Sequence, residues 1–268
     1  MTKLAIAQIR CVEEVSTNLA EAEARIHESA KAGAALVCFP EVHLSPFFAK
    51  HPGGDASAYA MKADSLEVQR LCDAAREAGI VVIANIYLRD EDGQRYDASP
   101  VIDSDGRLLG LSRMNEIAQF DGFWEQDYYA SGNGFDVYDT TAGKVGVVIC
   151  FDRHFPESYR AVALQGAQIV ATPTCIETSE PLDLFEAEMR TLAFHNSVYT
   201  LLANRCGREE NRDYAGQSLI IDPQGQVLAR ADETPQILVA DYDLDRQGEV
   251  AQLAGFTASK TAKSGVQV

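Results

Sequence analysis

Residues 146–157 read GVVICFDRHFPE, and this stretch decides the fold of the chain. The small apolar run from Gly146 to Ile149 is typical of a buried strand, and it places Cys150 just before a turn and a helix. Open α/β sheets carry their reactive groups at the carboxyl ends of strands, where backbone N–H groups of the turn can hold an oxyanion. A cysteine in an arbitrary context is more often a core residue. The turn instead favours a nucleophilic thiol.

Strands alternate with helices on both sides of this stretch. The predicted helices cover 18–32, 65–79, 156–165 and 182–196, and the strands around them read LAIAQIR, ALVCFP, IVVIANIYL, KVGVVIC, AQIVATPT and VYTLLANR. Apolar residues at helical spacing define the first set, and short apolar runs bounded by turn residues define the second. The alternation predicts an α/β fold.

Two further stretches resemble each other. VIDSDGRLLG at 101–110 and IIDPQGQVLA at 220–229 each read as an apolar strand, a tight turn with a glycine and a second strand. Each stretch therefore predicts a β-hairpin. Their similarity indicates that the chain has two related halves.

Composition limits the possible partners. The 268 residues carry a formal charge of −17, which argues against nucleic acid or an anionic membrane and favours a small soluble ligand. No run approaches the roughly 18 apolar residues of a membrane span, and 1–10 does not read as a signal peptide, so a cytoplasmic location is expected. Six cysteines without close metal-ligand spacing predict reduced thiols and no metal site.

Two glutamates complete the candidate chemistry. CFPEVHLSPF ends an apolar strand in Glu41, and partial desolvation at that edge should raise the pKa of its carboxyl and suit it as a general base. DGFWEQDYYASGN at 121–133 surrounds Glu125 with aromatic side chains, which is typical of a pocket wall. A solvated or helix-capping role for Glu41 and a surface loop around Glu125 are the alternatives.

These elements together resemble the nitrilase superfamily, the carbon-nitrogen hydrolases that cleave amides, N-carbamoyl amines or nitriles. The resemblance runs from AIAQIR to about residue 244 and includes FPE, GVVICFDRHFPE, ALQGAQIVATPT, FHNSVYTLLANRCG and YAGQSLIIDPQG. We expect a single domain over 1–257, and the small and polar residues at 258–268 read as a C-terminal tail. The implied fold is a four-layer αββα sandwich with a pseudo-twofold axis between similar halves.

The resemblance also implies a catalytic set of a cysteine, a glutamate base, a lysine and a supporting second glutamate. By motif match these are Cys150 as nucleophile, Glu41 as base and Glu125 as second glutamate. The segment 113–133 is most similar to that of N-carbamoyl amine amidases, but within its beginning, RMNEI, it has Met114 where the lysine belongs and Glu116 where a histidine is common. We therefore expect Glu41, Glu125 and Glu116 to approach one another without a central cation.

Several neighbouring residues are predicted to bind substrate. They are Glu116, Trp124, Tyr128, Phe151, Arg153 and His154. Arg153 and His154 resemble the carbamoyl-amidase branch, although a solvated turn is the alternative for both. Arg113 should point to the face of its strand opposite Met114, so Arg153 is the better candidate for replacing the missing charge.

The methionine at position 114 is compatible with three hypotheses about the function of the chain. The chain is a working thiol amidase with a rearranged charge distribution, a binding or regulatory protein that kept the fold, or a variant in which the methionine was introduced to trap substrate. The resemblance implies no cofactor, because a thiol, a carboxylate and water suffice. It also implies a homodimer or larger homo-oligomer assembled through the helix at 156–165.

Overall fold

Two mixed β-sheets lie at the centre of the computed structural model, which describes residues 2–254. The helices of this range are α1 Val15–Lys31, α2 Leu66–Ala78, α3 Pro156–Leu164, α4 Leu182–Asn196 and α5 Leu244–Ala254. The strands are β1 Thr2–Gln8, β2 Ala34–Cys38, β3 Val81–Ile83, β4 Ile86–Arg89, β5 Arg95–Ile102, β6 Leu108–Arg113, β7 Gln119–Phe120, β8 Phe123–Trp124, β9 Val137–Thr140, β10 Gly143–Val147, β11 Ile169–Thr174, β12 Tyr199–Asn204, β13 Cys206–Glu209, β14 Arg212–Ala215, β15 Leu219–Ile221, β16 Val227–Arg230 and β17 Gln236–Tyr242.

The two sheets repeat one topology. In the first, β1, β2 and β3 run parallel, and the antiparallel hairpin β5–β6 pairs with β3. In the second, β10, β11 and β12 run parallel, and the antiparallel hairpin β15–β16 pairs with β12. Both predicted hairpins are confirmed, and they occupy equivalent places in the two halves.

Alternate residues of each strand face different layers, as the two-residue period of a strand requires. One buried cluster joins the inner faces of both sheets, including Ile6 and Leu201. Ala7 and Val37 point the other way, against α1 and α2, while Val170 packs with α3 and α4. The order helices, sheet, sheet, helices is the predicted αββα sandwich, built as one domain.

Helix ends follow local capping chemistry. The hydroxyl of Ser65 accepts a hydrogen bond from the N–H of Val68 at the start of α2, and Gly79 ends that helix with a φ of 69°. The boundaries of α4 are those predicted from the sequence. The predicted boundaries of α1, α2 and α3 differ from the observed ones by up to three residues.

The single strand predicted for IVVIANIYL is wrong, because the chain breaks there into β3 and β4. The break falls at Asn85, whose carbonyl accepts a hydrogen bond from the N–H of His43 and whose side-chain oxygen accepts one from the N–H of Val42. The backbone thus turns away from strand pairing to hold the loop that follows β2.

Strands β13, β14 and β17 were not predicted. The last of them pairs antiparallel with β1 and extends the first sheet. None of the helices within 2–254 combines the length and the apolar character needed to cross a membrane. The tail predicted at 258–268 and its boundary at 257 lie outside the described residues.

Candidate active site

Cys150 lies at a strained turn directly after the second sheet's strand β10. Its backbone φ is 38°, in the left-handed region, and it begins a short 3-10 helix that leads into α3. A Cβ at Gly146 would lie 2.7 Å from Cβ of Val162 on α3, so only glycine permits this close packing of strand and helix. The sequence GVVIC thereby presents the thiol at the carboxyl end of the strand, as predicted.

Glu41 lies opposite, just beyond β2 of the first sheet. Its N–H donates to the carbonyl of Thr174 across the sheet interface at 3.4 Å, and its carbonyl accepts a hydrogen bond of 2.5 Å from Nη2 of Arg205. Arg205 is fully buried and forms an ion pair with Glu209. The next residue, Val42, has a φ of 37°. Backbone contacts therefore fix the position of the Glu41 carboxylate, which is itself fully buried.

The Cys150 thiol has several polar neighbours. The hydroxyl of Thr174 lies 3.5 Å from its sulfur and Nη1 of Arg153 lies 3.7 Å away. A hydrogen bond from the Cys175 thiol is the main cause that lowers the pKa of Cys150; the Arg153 charge adds to it and burial opposes it. The sulfur atoms of Cys150 and Cys175 and a carboxylate oxygen of Glu41 all lie within 4.8 Å of one another.

Glu125 is the second buried glutamate of this region. Its Oε2 accepts a hydrogen bond of 3.0 Å from the N–H of Ala118, while Oε1 has no hydrogen-bond partner among the described residues. Burial raises the pKa of this carboxyl well above its usual range, and the Glu41 charge raises it further. Burial also raises the pKa of Glu41, with Cys150 as the next cause. The two glutamates therefore share one buried acidic region.

Met114 follows the last residue of β6 and is completely buried in the cluster between the sheets, which also contains Cys150. Its N–H donates to the carbonyl of Asp97 at 2.9 Å, and its carbonyl accepts from Gly132. Arg113 points away as expected: its guanidinium pairs with Asp90 and lies 4.2 Å from the ring centroid of Tyr96. Within the described part of the chain, none of the groups that most affect the pKa of Glu41 is a cation.

The expectation that Glu116 joins the two buried glutamates is wrong, and Asp97 takes that place. The Glu116 side chain is exposed, because its N–H is anchored at 2.7 Å to the carboxylate of Asp152 and the side chain turns outward. Asp97 is fully buried on β5, where its Oδ1 accepts a hydrogen bond of 2.7 Å from Asn85. Burial and the adjacent Glu41 raise the pKa of Asp97 well above its usual range.

The remaining predicted substrate-binding residues are distributed around this site. Arg153 is almost fully buried and also lies 4.8 Å from the ring centroid of Phe185. His154 contacts Glu188 at 3.0 Å and its ring lies 5.5 Å from that of Phe151, which is half-buried. Trp124 is half-buried beside Glu125. The hydroxyl of Tyr128 donates to the carbonyl of His51 at 2.7 Å, so that polar group is already engaged.

Sequence reasoning missed Asp97, Cys175 and Arg205. Asp97 had a detectable signal, since a lone carboxylate interrupts the otherwise uncharged strand run YDASPVI. Cys175 directly follows the strand AQIVATPT, at the same strand-end position that drew attention to Cys150. Arg205 gave no signal, because only the fold brings it beneath the loop of Glu41.

Comparison with known proteins agrees with this architecture. Residues 3–252 match the family model described as carbon-nitrogen hydrolase. The chain is 33% identical over 259 residues to an N-carbamoylputrescine amidase of Arabidopsis thaliana, covering 89% of this chain and 85% of that protein. It is 34% identical over 254 residues to a citrullinase of Francisella tularensis, covering 90% and 88%. A carbon-nitrogen hydrolase of Helicobacter pylori G27 has a TM-score of 0.90 at 23% identity, covering 97% of this chain and 95% of that one.

Proposed function

Because the chain belongs to the carbon-nitrogen hydrolase family, we propose that it hydrolyses a small amide or N-carbamoyl amine through a thioester on Cys150. The observation that carries the proposal is the buried Glu41 carboxylate, which lies within 4.8 Å of the Cys150 sulfur. A thiol and a base in this arrangement are the requirement for covalent acyl transfer. The lowered pKa of Cys150 fits the same role.

The reaction follows from the positions of these two groups. Glu41 takes the thiol proton as the sulfur attacks the carbonyl carbon, and a tetrahedral oxyanion forms. The proton then passes to the leaving nitrogen, the C–N bond breaks, and a thioester remains on Cys150. Glu41 next activates a water molecule that attacks the thioester and regenerates the thiol. Glu125 is assigned to support Glu41 from the same acidic region.

The proposed mechanism is unusual because it lacks a lysine whose positive charge would stabilise the anionic intermediate. We assign Met114 to the position of the family's lysine, and a thioether supplies neither charge nor a hydrogen-bond donor. A proton on Asp97 partly compensates: the hydrogen bond between Asp97 and Glu41 lowers the pKa of Glu41 and raises that of Asp97. Asp97 thus keeps Glu41 available as a base, and Arg153 supplies positive charge beside Cys150.

The substrate class that we favour carries a ureido group. The two similar proteins are named for N-carbamoylputrescine and citrulline, and both molecules end in a ureido group attached to an amine-bearing chain. Phe151, Arg153, His154, Trp124, Tyr128 and Glu116 remain the proposed substrate-binding residues. A linear amide is the second candidate within the same chemistry.

A catalytically impaired binding or regulatory protein is the alternative function. Met114 favours it, because the side chain that we assign to the lysine position is apolar and fully buried. Slow turnover then follows from the missing charge, while the fold is retained. The two functions predict different outcomes in a turnover assay.

The test is release of ammonia from N-carbamoylputrescine, citrulline and short linear amides. We expect turnover by the wild-type chain, loss of at least about a thousandfold in Cys150→Ser, and no change in Cys72→Ser, a cysteine on α2 remote from the site. Ligand binding in a thermal-shift assay without any ammonia release would support the binding protein instead. Absence of both binding and turnover across the panel would refute both functions.

Assembly and location are further proposals. We infer a homodimer or larger homo-oligomer packed through α3 and the adjoining α4, where the large apolar side chain of Leu184 is 65% exposed. Light scattering coupled to size-exclusion chromatography tests it, and Leu184→Asp should shift the mass towards the monomer. The cytoplasmic location stays a prediction, which a fluorescent fusion would check.

A further inference from the structure

Cys175 is a buried thiol that the hydrolytic mechanism leaves without a chemical role of its own. Its sulfur, the Cys150 sulfur and a Glu41 carboxylate oxygen lie within 4.8 Å of one another, and all three side chains are buried. Cys150 and Cys175 are 25 positions apart, which is why the sequence gives no recognisable ligand spacing. Topology brings them together instead, because each follows one of two adjacent parallel strands, β10 and β11.

The three side chains are held by rigid elements. Cys175 follows β11 directly, and the preceding Thr174 accepts the backbone hydrogen bond from Glu41. The turn at Cys150 is fixed by the packing of β10 on α3, and the loop of Glu41 is fixed by Arg205. Donor atoms on such supports can keep a constant geometry, as a metal site requires.

The electrostatic environment favours a cation at this point. Among the described residues no backbone N–H and no cationic group donates a hydrogen bond to the completely buried Glu41 carboxylate, whose hydrogen-bonding neighbours are the side chains of Asp97 and the two cysteines. One oxygen of Glu125 has no hydrogen-bond partner there. An unpaired buried carboxylate is costly, and the apolar Met114 supplies no compensating charge.

We propose that Glu41, Cys150 and Cys175 form a site that binds Zn²⁺ reversibly. While the ion is bound, the protein cannot hydrolyse its substrate. Two thiolates and a carboxylate suit zinc and exclude Mg²⁺ and Ca²⁺, which prefer oxygen ligands only. Three protein ligands leave the fourth tetrahedral position to water. The Zn–S and Zn–O bonds of about 2.3 and 2.1 Å place ligand atoms about 3.5 to 3.8 Å apart, so donor atoms that now lie within 4.8 Å of one another need to approach by roughly 1 Å at most through side-chain rotation.

Metal binding removes the nucleophile without any redox step. The ion takes a sulfur lone pair from each thiolate, and the two thiol protons, with the Glu41 proton where it is present, pass to solvent. Cys150 then has no thiolate free to attack a carbonyl, and Glu41 is no longer free as a base. Zinc is therefore expected to inhibit hydrolysis and a chelator to restore it. The binding itself does not require hydrolytic turnover.

The first test uses Co²⁺ as a spectroscopic probe for the zinc site, in metal-free protein under reducing conditions. We expect one Co²⁺ per chain with a thiolate-to-cobalt charge-transfer band that Zn²⁺ displaces. Cys175→Ser and Glu41→Gln should each weaken binding by at least about tenfold, whereas Cys72→Ser should bind as the wild type does. A charge-transfer band that persists unchanged in Cys175→Ser, or its absence from the wild type, would overturn the proposal.

The second test needs no substitution and therefore does not depend on folding of a variant. Zn²⁺ should protect Cys150 from iodoacetamide in the wild-type chain by at least about tenfold in rate, with Cys72 alkylated at the same rate in both samples. Equal alkylation of Cys150 with and without Zn²⁺ would contradict the site. Both tests report binding, so a chain that releases no ammonia would refute the proposed hydrolase while leaving the zinc site to be judged separately.

Discussion

Replacing Met114 by lysine is the perturbation that most directly tests how this site handles charge. The two side chains are similar in length, and Met114 is fully buried in the layer between the sheets. Met114→Lys would add a single ammonium group to a region that contains the carboxyl groups of Glu41, Asp97 and Glu125. If position 114 is the lysine position, as proposed, the chain should gain an oxyanion donor with little change in shape.

The expected size of the effect follows from the neighbouring charges. One oxyanion donor contributes about 2.7 to 4 kcal/mol, or a factor of roughly a hundred to a thousand in rate. Arg153 and Thr174 already lie beside the Cys150 sulfur, so we expect a gain in kcat/KM of at least about tenfold. Burying the ammonium costs several kcal/mol, but a carboxylate that settles at about 4 Å from it would return about 4 kcal/mol. The variant should therefore fold.

The pH profile supplies a second readout. Burial raises the pKa of Glu41 above its usual range, so the acidic limb of kcat/KM reports deprotonation of this base. A cation at position 114 favours the ionised form and lowers that pKa, which should move the acidic limb to lower pH. Ammonia release from an N-carbamoyl amine between about pH 5 and 9 measures both the rate and the limb.

Met114→Leu is the matched control, because it repacks the same position without charge. It should leave both the rate and the acidic limb close to those of the wild type. The reasoning is refuted if a folded Met114→Lys variant has an unchanged kcat/KM. Equal gains in the leucine and lysine variants would also refute it, since packing and not charge would then be responsible.

Three other perturbations test separate parts of the structure. Asp97→Asn keeps a donor towards Glu41, so the acidic limb should stay close to that of the wild type, whereas Asp97→Leu removes the hydrogen bond that lowers the pKa of Glu41 and should move the limb to higher pH; kcat/KM profiles compare them. Glu209→Gln leaves the buried Arg205 charge without its ion pair and should lower the free energy of unfolding by about 3 to 5 kcal/mol in urea titrations. Burial raises the pKa of Asp152 to about 7 from 3.8, so its contribution to stability is fully present below about pH 3.8 and is lost as the pH rises through 7. Asp152→Asn should flatten that loss between about pH 4 and 8; an equal loss in both proteins would assign the effect to other groups.

Local sequence patterns were sufficient for much of the fold. Helix α4 and the two hairpins follow from residues adjacent in the chain, because capping, turn chemistry and apolar periodicity act over a few residues. The division of IVVIANIYL into two strands did not follow, because its cause is a pair of hydrogen bonds that Asn85 accepts from a loop more than 40 residues earlier. Strand β17 was missed for a similar reason: its partner is β1 at the opposite end of the chain.

The candidate site shows the same division between local and distant information. Cys150 and Glu41 could be identified because each ends a recognisable strand within a specific motif. The identity of the third carboxylate could not, since the choice between Glu116 and Asp97 depends on which side chain the packed sheets turn inward. Asp97 points into the layer between the sheets, whereas the backbone of Glu116 is tied to Asp152 and its carboxylate is exposed. Proximity in sequence to Met114 favoured the wrong residue.

The charge balance of the site therefore depends on several separate segments acting together. With Met114 at the proposed lysine position, the site lacks the cation that a lysine would bring towards Glu41 and Asp97, and these two carboxyl groups can coexist if one retains a proton. The same deficit of positive charge that slows an anionic intermediate also makes the site attractive to a metal ion. Met114→Lys should consequently oppose zinc binding while it promotes hydrolysis, because an ammonium and a dication compete for the same carboxylate. Faster hydrolysis together with unchanged Co²⁺ affinity would show that the two effects do not share this electrostatic origin.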